Sequence, residues 1–130
     1  MGVAAALPLT TFSIVMTFDE ERLPTALELL LGVVEPIRVK RGCASCRVER
    51  DAVDRQLVHY SEEWTSPEAL RRHVQSREFW QVLFAMDLAS EEPAVALGDA
   101  AVRHGIGLLS ELRGGAGTGP EPLEPLRTEE

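Results

Sequence analysis

The segment 43–76, CASCRVERDAVDRQLVHYSEEWTSPEALRRHVQS, decides the predicted fold. It contains two strands, 43–50 and 55–65, separated by a short turn with an aspartate at each end, and this spacing predicts an antiparallel hairpin. Ser66 and Pro67 follow as an N-cap and a proline in the first helical turn, so a helix is predicted to about residue 76.

The flanking segments supply the remaining strands and helices. Apolar residues alternate with mostly polar ones in TFSIVMTF (11–18), which predicts a strand with one apolar face. Leucines spaced three or four residues apart after this strand predict an amphipathic helix. The expected elements are a strand at 11–18, a helix from the acidic residues 19–21 to about 39, a helix at 77–86, a last strand at 94–102 and a short helix at 105–113.

This order, β-α-β-β-α-β followed by a helix, predicts an α+β fold of the ferredoxin-like, split β-α-β type with a four-stranded antiparallel sheet. Helices on one side leave the other side of such a sheet uncovered. We expect that uncovered face to carry apolar residues and to be buried against a partner sheet, most simply that of a second copy of the chain.

Composition and charge narrow the class of protein. The 130 residues are 45% apolar and 26% charged, which is typical of one globular domain. The net charge of −8 makes nucleic acid a poor partner, because an acidic surface repels phosphate. No run approaches the roughly 20 apolar residues of a membrane span, and the N-terminus lacks the basic residues of a signal peptide. We therefore expect a cytoplasmic protein that does not enter the membrane.

The chain ends differ in composition from the centre. Residues 1–10 are predicted to form a loose arm. Residues 114–130, GGAGTGPEPLEPLRTEE, are rich in Gly, Pro and Glu and are predicted to be a disordered tail, since they bury too little apolar surface to offset the cost of ordering. The expected folded unit is 11–113.

The two cysteines, Cys43 and Cys46, form a C-x-x-C motif, which raises the question of redox or zinc chemistry. The motif falls on a predicted strand, where residues three apart point to opposite faces, so the sulfurs are not expected to converge. A second pair of zinc ligands is also missing. We interpret the motif as two packed thiols.

The segment 41–79 combines several short motifs, which are Gly42-Cys43, Glu62-x-Trp64, Ser66-x-Glu68-Ala69-Leu70, His73 and Ser76-x-x-Phe79. Together they resemble the antibiotic biosynthesis monooxygenase family, and the resemblance extends over about residues 11–113. The family's fold is similar to the one derived above, with two sheets paired into a dimeric α/β barrel. The resemblance implies an activity among those of its members, which include cofactor-free oxygenases of quinols and polyketide phenols and related haem-degrading enzymes.

Trp64 and His73 are the candidate catalytic residues. Trp64 ends the second hairpin strand and His73 lies two turns into the next helix, so both can face one pocket. A cofactor-free oxygenase needs a dry cavity, a base for the substrate's proton and a side chain that contacts the substrate's ring. Histidine suits the role of base because it titrates near neutrality. The remaining candidates, all for substrate binding, are Tyr60, Glu62, Arg77 and Phe79.

Less specific interpretations of these residues stay open. His73 could be a structural residue bonded to a strand carbonyl or to a glutamate, and Trp64 is by type more often core than catalyst. His59 is expected to point away from Trp64, and His104 to lie at the surface. The alternative function is a non-catalytic, ligand-binding or structural dimer of the same fold.

No metal or other cofactor is expected. The three histidines, at 59, 73 and 104, lack a ligand spacing. The haem-degrading relatives pair Trp and His with an Asn on the first strand, and 11–18 contains no Asn. Haem binding or degradation is therefore the weaker alternative, although His73 alone could ligate iron.

Overall fold

The computed structural model describes residues 9–98 and 100–102. The predicted helix at 105–113, His104, the tail and residues 1–8 of the predicted arm lie outside the described residues. Within the described part, no helix is long and apolar enough to cross a membrane. The elements in chain order are β1 (Thr10–Thr17), α1 (Leu23–Arg38), β2 (Cys43–Arg50), β3 (Leu57–Trp64), α2 (Pro67–Val74), α3 (Glu78–Asp87), β4 (Ala94–Leu97) and β5 (Ala100–Val102).

The predicted ferredoxin-like α+β fold is confirmed. The strands form one antiparallel sheet in the order β2-β3-β1-β4-β5, with the first strand of the chain at its centre. The helices cover one face, where Phe12, Ile14 and Met16 of β1 are fully buried. The period of two in β1 thus places every second side chain in the core.

The predicted hairpin and helix start are also confirmed. In the turn after β2, Asp51 Oδ2 accepts hydrogen bonds from the backbone N–H groups of Val53 (3.0 Å) and Asp54 (2.8 Å). At the start of α2, Ser66 Oγ accepts from the backbone N–H of Ala69 at 3.1 Å. Each short polar side chain satisfies backbone donors that the turn or helix end leaves unpaired.

The last predicted strand needs correction. The segment 94–102 forms two short antiparallel strands, β4 and β5, and not one strand. Gly98 lies at the reversal with φ +64°, a left-handed conformation that favours glycine. The sheet therefore has a fifth, short strand beside the four that the sequence predicts.

The cysteine pair shows a second correction. The register shifts by one residue between Cys43 and Ser45, so that Cys43 lies opposite Trp64 and Cys46 opposite Glu62. Trp64 and Glu62 share a face of β3, and the bulge therefore brings both cysteines to that same face, contrary to our expectation. Both cysteines are nevertheless free, and Cys46 is fully buried. The interpretation as packed thiols is confirmed.

The uncovered face of the sheet is more polar than expected. Its side chains are half-buried or exposed, because none of the helices α1 to α3 in the described part of the chain packs on this side. The alternation of β1 and β3 requires only that the helix-covered face be apolar, which leaves the other side chains free to be small and polar. Those at the paired positions of β1 and β3 are Thr11, Ser13, Val15, Thr17, Leu57, His59, Ser61 and Glu63.

Candidate functional site

Three candidate residues follow one another on the helix-covered face of β3. Tyr60, Glu62 and Trp64 are spaced by two residues, and each is at most 1% exposed. Glu62 is the unusual member, since it is a carboxyl group with no exposed surface at the end of an apolar core. Burying such a group is costly unless hydrogen bonds replace its water.

Glu62 is satisfied by three side-chain donors. Trp64 Nε1 donates to its Oε1 at 2.9 Å. Its Oε2 accepts from the Tyr60 hydroxyl and lies 2.9 Å from Nε2 of His73. These partners replace the lost hydration of both carboxyl oxygens and fix the orientation of all three rings.

His73 is held by stacking as well as by hydrogen bonds. Its ring stacks on Trp64 with centroids 4.8 Å apart and an interplanar angle of 28°. The ring of Phe79 in α3 meets it edge-on at 5.3 Å. The imidazole is therefore fixed between the end of β3, its own helix α2, and α3.

Lys40 lies on the other side of the imidazole and was not predicted. Its Nζ lies 3.2 Å from Nδ1 of His73, 2.8 Å from Oγ of Ser76 and 2.9 Å from Oε1 of Glu78. An ammonium only donates, so Nδ1 of His73 accepts, and the ring hydrogen belongs on Nε2, where it is donated to Glu62. All three ammonium hydrogens have acceptors.

Gly42 brings this lysine to the site. Its φ is +91°, and a Cβ on it would lie 2.8 Å from Cβ of Ala69 in α2. The backbone N–H of Thr65 donates to its carbonyl at 2.8 Å. A residue without a side chain thus lets the turn after α1 press against α2, which places Lys40 and Arg41 beside the histidine.

A cavity of about 410 Å³ opens at this point. Its walls combine the flat rings of the cluster with basic side chains from the turn and from α2. Because the oxygens of Glu62 are bonded behind the rings, the cavity side of the cluster is the side of Nδ1 and Lys40. The lining residues are Lys40, Arg41, Trp64, Ala69, Arg72 and His73.

Burial changes the acidity of the groups behind the cluster. Burial, with the charge of Glu62, raises the pKa of the Tyr60 phenol well above its usual range. Burial also raises the pKa of the Cys46 thiol to about 12, and Cys46 Sγ donates to the Tyr60 hydroxyl at 3.6 Å. Both groups keep their protons at neutral pH and therefore act as donors, in a chain that ends on Glu62.

The ion pair at the outer end of the cluster has the opposite effect. The hydrogen bond from Lys40 lowers the pKa of Glu78 to about 2. Glu78 therefore stays ionised at neutral pH and helps to hold the ammonium beside His73.

The structure brings five of the six predicted site residues together and separates the sixth. Arg77 is exposed at the start of α3 and is not among the residues that line the cavity. The other five form the cluster, with Trp64 and His73 in the cavity wall and Tyr60, Glu62 and Phe79 behind them.

Sequence reasoning missed the basic wall of the cavity. Lys40 and Arg41 belong to no motif of the sequence, and only their position directly before Gly42 hints at a role in the site. His59, as expected, points to the other face of the sheet, where Nε2 lies 3.1 Å from Asp51 Oδ1.

The cluster does not fit a haem or metal ligand. Iron would need a ring nitrogen of His73 with a free lone pair, and Nε2 faces Glu62 while Nδ1 faces Lys40. Among residues 9–98, no three side chains of the His, Cys, Asp or Glu type converge as metal ligands.

A family model matches the part of the chain that contains the cluster. The model of the family "Antibiotic biosynthesis monooxygenase" matches residues 11–82, a range that extends from the second residue of β1 to the middle of α3. The chain belongs to this family. The matched range includes Lys40, Glu62, Trp64 and His73.

Solved structures share the fold of this family member. It superposes on Rv0793 from Mycobacterium tuberculosis with a TM-score of 0.64 and 20% identity, covering 69% of this chain and 92% of that one. PA3566 from Pseudomonas aeruginosa gives 0.63 and 20%, covering 70% and 92%. A protein named antibiotic biosynthesis monooxygenase gives 0.63 and 23%, covering 70% and 97%. No curated protein matches the chain.

Proposed function

We propose that the protein is a monooxygenase that oxidises a small aromatic hydroxyl compound, of the quinol, phenol or polyketide type, with O2 and without a metal or flavin. The observation that supports this most directly is the cavity of about 410 Å³ with Trp64 and His73 in its wall. For a phenol the net reaction is phenol + O2 → quinone + H2O. One oxygen atom enters the ring and the other leaves as water.

The substrate supplies the electrons in this reaction. Once ionised, a phenolate passes one electron to O2, and the resulting radical and superoxide combine to form a carbon–oxygen bond. The O–O bond then breaks with loss of water, which leaves a second ring carbonyl. The protein has to exclude water, orient the ring and accept the hydroxyl proton.

The contacts of the cluster support distinct roles for its members. Because the indole N–H of Trp64 is bound to Glu62 and its ring is stacked on His73, Trp64 holds the imidazole in the cavity wall. His73 accepts the hydroxyl proton at Nδ1 when Lys40 moves off this nitrogen and keeps its bonds to Ser76 and Glu78. The ammonium of Lys40 then stabilises the phenolate.

The other members of the cluster position the histidine. Glu62, held by Tyr60, keeps the ring of His73 in one orientation, and Phe79 packs against its edge. Arg77 receives no role, because it is exposed and away from the cavity.

Oxygen uptake by the purified protein with quinols, naphthols and anthrones tests this function. We expect uptake with at least one compound, loss of uptake in His73→Ala and Trp64→Ala, and no change in the control His59→Ala, whose histidine lies on the other face of the sheet. Uptake that survives both cluster substitutions would contradict the assigned site.

A second candidate function is binding of a small ligand without oxygenation. One observation favours it, namely that the ring nitrogens of Trp64 and His73 already have partners inside the protein. A ligand at 100 times its Kd would raise the free energy of unfolding by about 2.7 kcal/mol, which a thermal-shift screen detects. Stabilisation without oxygen uptake would support this candidate over the monooxygenase.

We further propose a homodimer that pairs the uncovered faces of two sheets. Support comes from the half-buried Val15 and Leu57 on that face, which none of the described helices α1 to α3 covers. Sedimentation velocity is expected to give twice the mass of one chain. We also propose that the protein is cytoplasmic, with a loose arm at 1–10 and a disordered tail at 114–130 on either side of the folded unit. Limited proteolysis that removes 114–130 first would support the tail.

A further inference from the structure

Tyr60 is buried behind the cavity with a proton acceptor already in place. It is the single tyrosine of the chain and is 1% exposed. Its hydroxyl donates to Oε2 of Glu62, a carboxylate whose side chain has no exposed surface. All three side-chain partners of Glu62 donate to it, so the carboxylate carries no proton of its own and can receive one.

The same carboxylate connects the phenol to the cavity. Trp64 Nε1 and His73 Nε2 each lie 2.9 Å from an oxygen of Glu62, and both residues line the cavity. The Tyr60 hydroxyl and His73 Nε2 share Oε2, so only two hydrogen bonds separate the phenol from a ring in the cavity wall. An electron can cross so short a path without a mobile carrier.

Glu62 also makes it possible for the phenol to lose an electron. A phenol that loses an electron becomes a strong acid and must give up its proton. Burial and the charge of Glu62 raise the pKa of Tyr60 well above its usual range, so the proton does not leave first. A carboxylate within hydrogen-bond reach takes the proton in the same step. Its negative charge favours removal of the electron, because the interior screens charges weakly.

We propose that Tyr60 is a redox-active residue, which supplies one electron to an oxygen-derived radical in the cavity and passes its proton to Glu62. This inference rests on the proposed function for the origin of that radical. In the proposed reaction the substrate radical and superoxide combine to a peroxide anion. When superoxide escapes and O2 adds to the substrate radical instead, the product is a peroxyl radical, ROO•, which lacks one electron.

The electron from Tyr60 completes the interrupted reaction. The step is ROO• + Tyr60–OH + Glu62–COO⁻ → ROO⁻ + Tyr60–O• + Glu62–COOH. The phenol O–H bond breaks, an O–H bond forms on the carboxylate, and the peroxyl group is reduced to the same anion that combination with superoxide gives. Cys46, whose Sγ lies 3.6 Å from the phenol oxygen, then returns a hydrogen atom, Tyr60–O• + Cys46–SH → Tyr60–OH + Cys46–S•.

The test treats the purified protein with hexachloroiridate(IV), a one-electron oxidant, in the absence of substrate. We expect freeze-quenched samples to show the electron paramagnetic resonance spectrum of a neutral tyrosyl radical, which belongs to Tyr60 because the chain has one tyrosine. Tyr60→Phe should lose the signal completely. Cys46→Val, which lacks the neighbouring hydrogen donor, should show a stronger signal. Absence of a tyrosyl signal from both wild type and Cys46→Val would overturn the proposal.

A relocated tyrosine is the matched control for the role of Glu62. The double variant Tyr60→Phe, Phe84→Tyr keeps one tyrosine but places it on α3 at a position that is 46% exposed in the wild type. An exposed phenol gives its proton to water or buffer, so its oxidation should accelerate with pH and with buffer concentration. The rate for Tyr60 should change less than about twofold from pH 6 to pH 8, because its acceptor is fixed. The same dependence in both proteins would overturn Glu62 as the acceptor.

The outcomes separate this inference from the proposed function, because an added oxidant takes the place of substrate and O2. Oxygen uptake with a phenol in a protein that forms no tyrosyl radical would uphold the monooxygenase and overturn the redox role of Tyr60. A tyrosyl radical in a protein that takes up no oxygen would support the redox role and contradict the monooxygenase.

Discussion

The buried cluster around Glu62 and the exposed turn around Asp51 each contain a histidine next to a carboxylate, in different surroundings. Nε2 of His73 lies 2.9 Å from a Glu62 oxygen, and Nε2 of His59 lies 3.1 Å from an Asp51 oxygen. The side chains of the first pair have no exposed surface, whereas those of the second are 42% and 29% exposed. Distance alone therefore does not distinguish the two pairs.

The neighbours of each carboxylate explain what the difference means. Glu62 accepts from three side chains on β3 and α2, so its loss would leave several buried donors unpaired. Asp51 serves its own turn, where its pKa is lowered first by the backbone N–H of Asp54 and then by His59. Water can replace every partner of Asp51 and none of those of Glu62. Burial thus makes one pair indispensable and leaves the other optional.

Replacing Glu62 by Gln is expected to have the largest effect. The amide keeps the size of the side chain but points an NH2 group at partners that are themselves donors. We expect a loss of about 3 kcal/mol in the free energy of unfolding, measured by urea denaturation. The matched change Asp51→Asn should leave the urea midpoint nearly unchanged. Similar losses in both variants would contradict the contrast drawn between the two regions.

High pH should destabilise the buried region through Cys46. Its pKa is about 12 in the fold, above the value near 9 of a thiol in the unfolded chain. The unfolded chain therefore loses this proton first, and stability falls as pH rises from about 9 towards 12, by up to about 1.4 kcal/mol per pH unit.

This loss of stability at high pH is measured by the urea midpoints of wild type and Cys46→Val at pH 8 and pH 10.5. We expect a smaller alkaline loss in the variant, by up to about 2 kcal/mol at pH 10.5. Replacing the half-buried Cys43 by Val should remove less of the alkaline loss, because burial raises the pKa of its thiol too but only Cys46 is fully buried. An equal alkaline loss in wild type and Cys46→Val would argue against a buried thiol.

Gly42→Ala should destabilise the cluster by displacing the turn that carries Lys40. The new methyl group would meet Ala69 at 2.8 Å in a left-handed backbone conformation, at a cost of roughly 2 kcal/mol. Gly98→Ala has the left-handed φ without a neighbour within 4 Å and should cost about 1 kcal/mol. Thermal unfolding compares them, and an equal cost would mean that contact with α2 contributes nothing.

Lys40→Met should have the smallest effect on stability and a specific effect on one histidine. Removing the ammonium leaves Nδ1 of His73 without its donor, so the 15N resonance of this nitrogen should shift. The resonances of His59 should not change, and Lys40→Arg, which keeps a donor, should restore most of the signal. An unchanged His73 spectrum would show that Lys40 does not set its tautomer.

Most of the fold could be predicted because it depends on local patterns. Alternation in 11–18, the polar turn after Arg50 and the Ser66 N-cap each act within a few residues, and the structure contains all three. The fifth strand and the bulge after Cys43 escaped prediction. The fifth strand follows a chain reversal at Gly98, and the bulge is a shift of register between Cys43 and Ser45. In the sequence, only a glycine at 98 and small residues at 44 and 45 mark these places.

The candidate site could be predicted in part. The period of two on β3 placed Tyr60, Glu62 and Trp64 on one face, and the helix cap placed His73 near them. Lys40 was missed because it reaches the histidine across 33 positions of sequence, from another element. Arg77 was included because it lies four residues after His73, one helical turn away in a continuous helix. In the structure α2 ends at Val74, and Arg77 is exposed at the start of α3.

The sequence alone determined which residues form the ferredoxin-like sheet and which residues of β3 lie in the core, since backbone periodicity and capping act over a few residues. Tertiary structure decided that Glu62 has three donors, that His73 accepts from Lys40, and that Arg41 and Arg72 border one cavity. These depend on how the turn at Gly42 packs against α2, because hydrogen bonds and charges act between groups that only packing brings within reach.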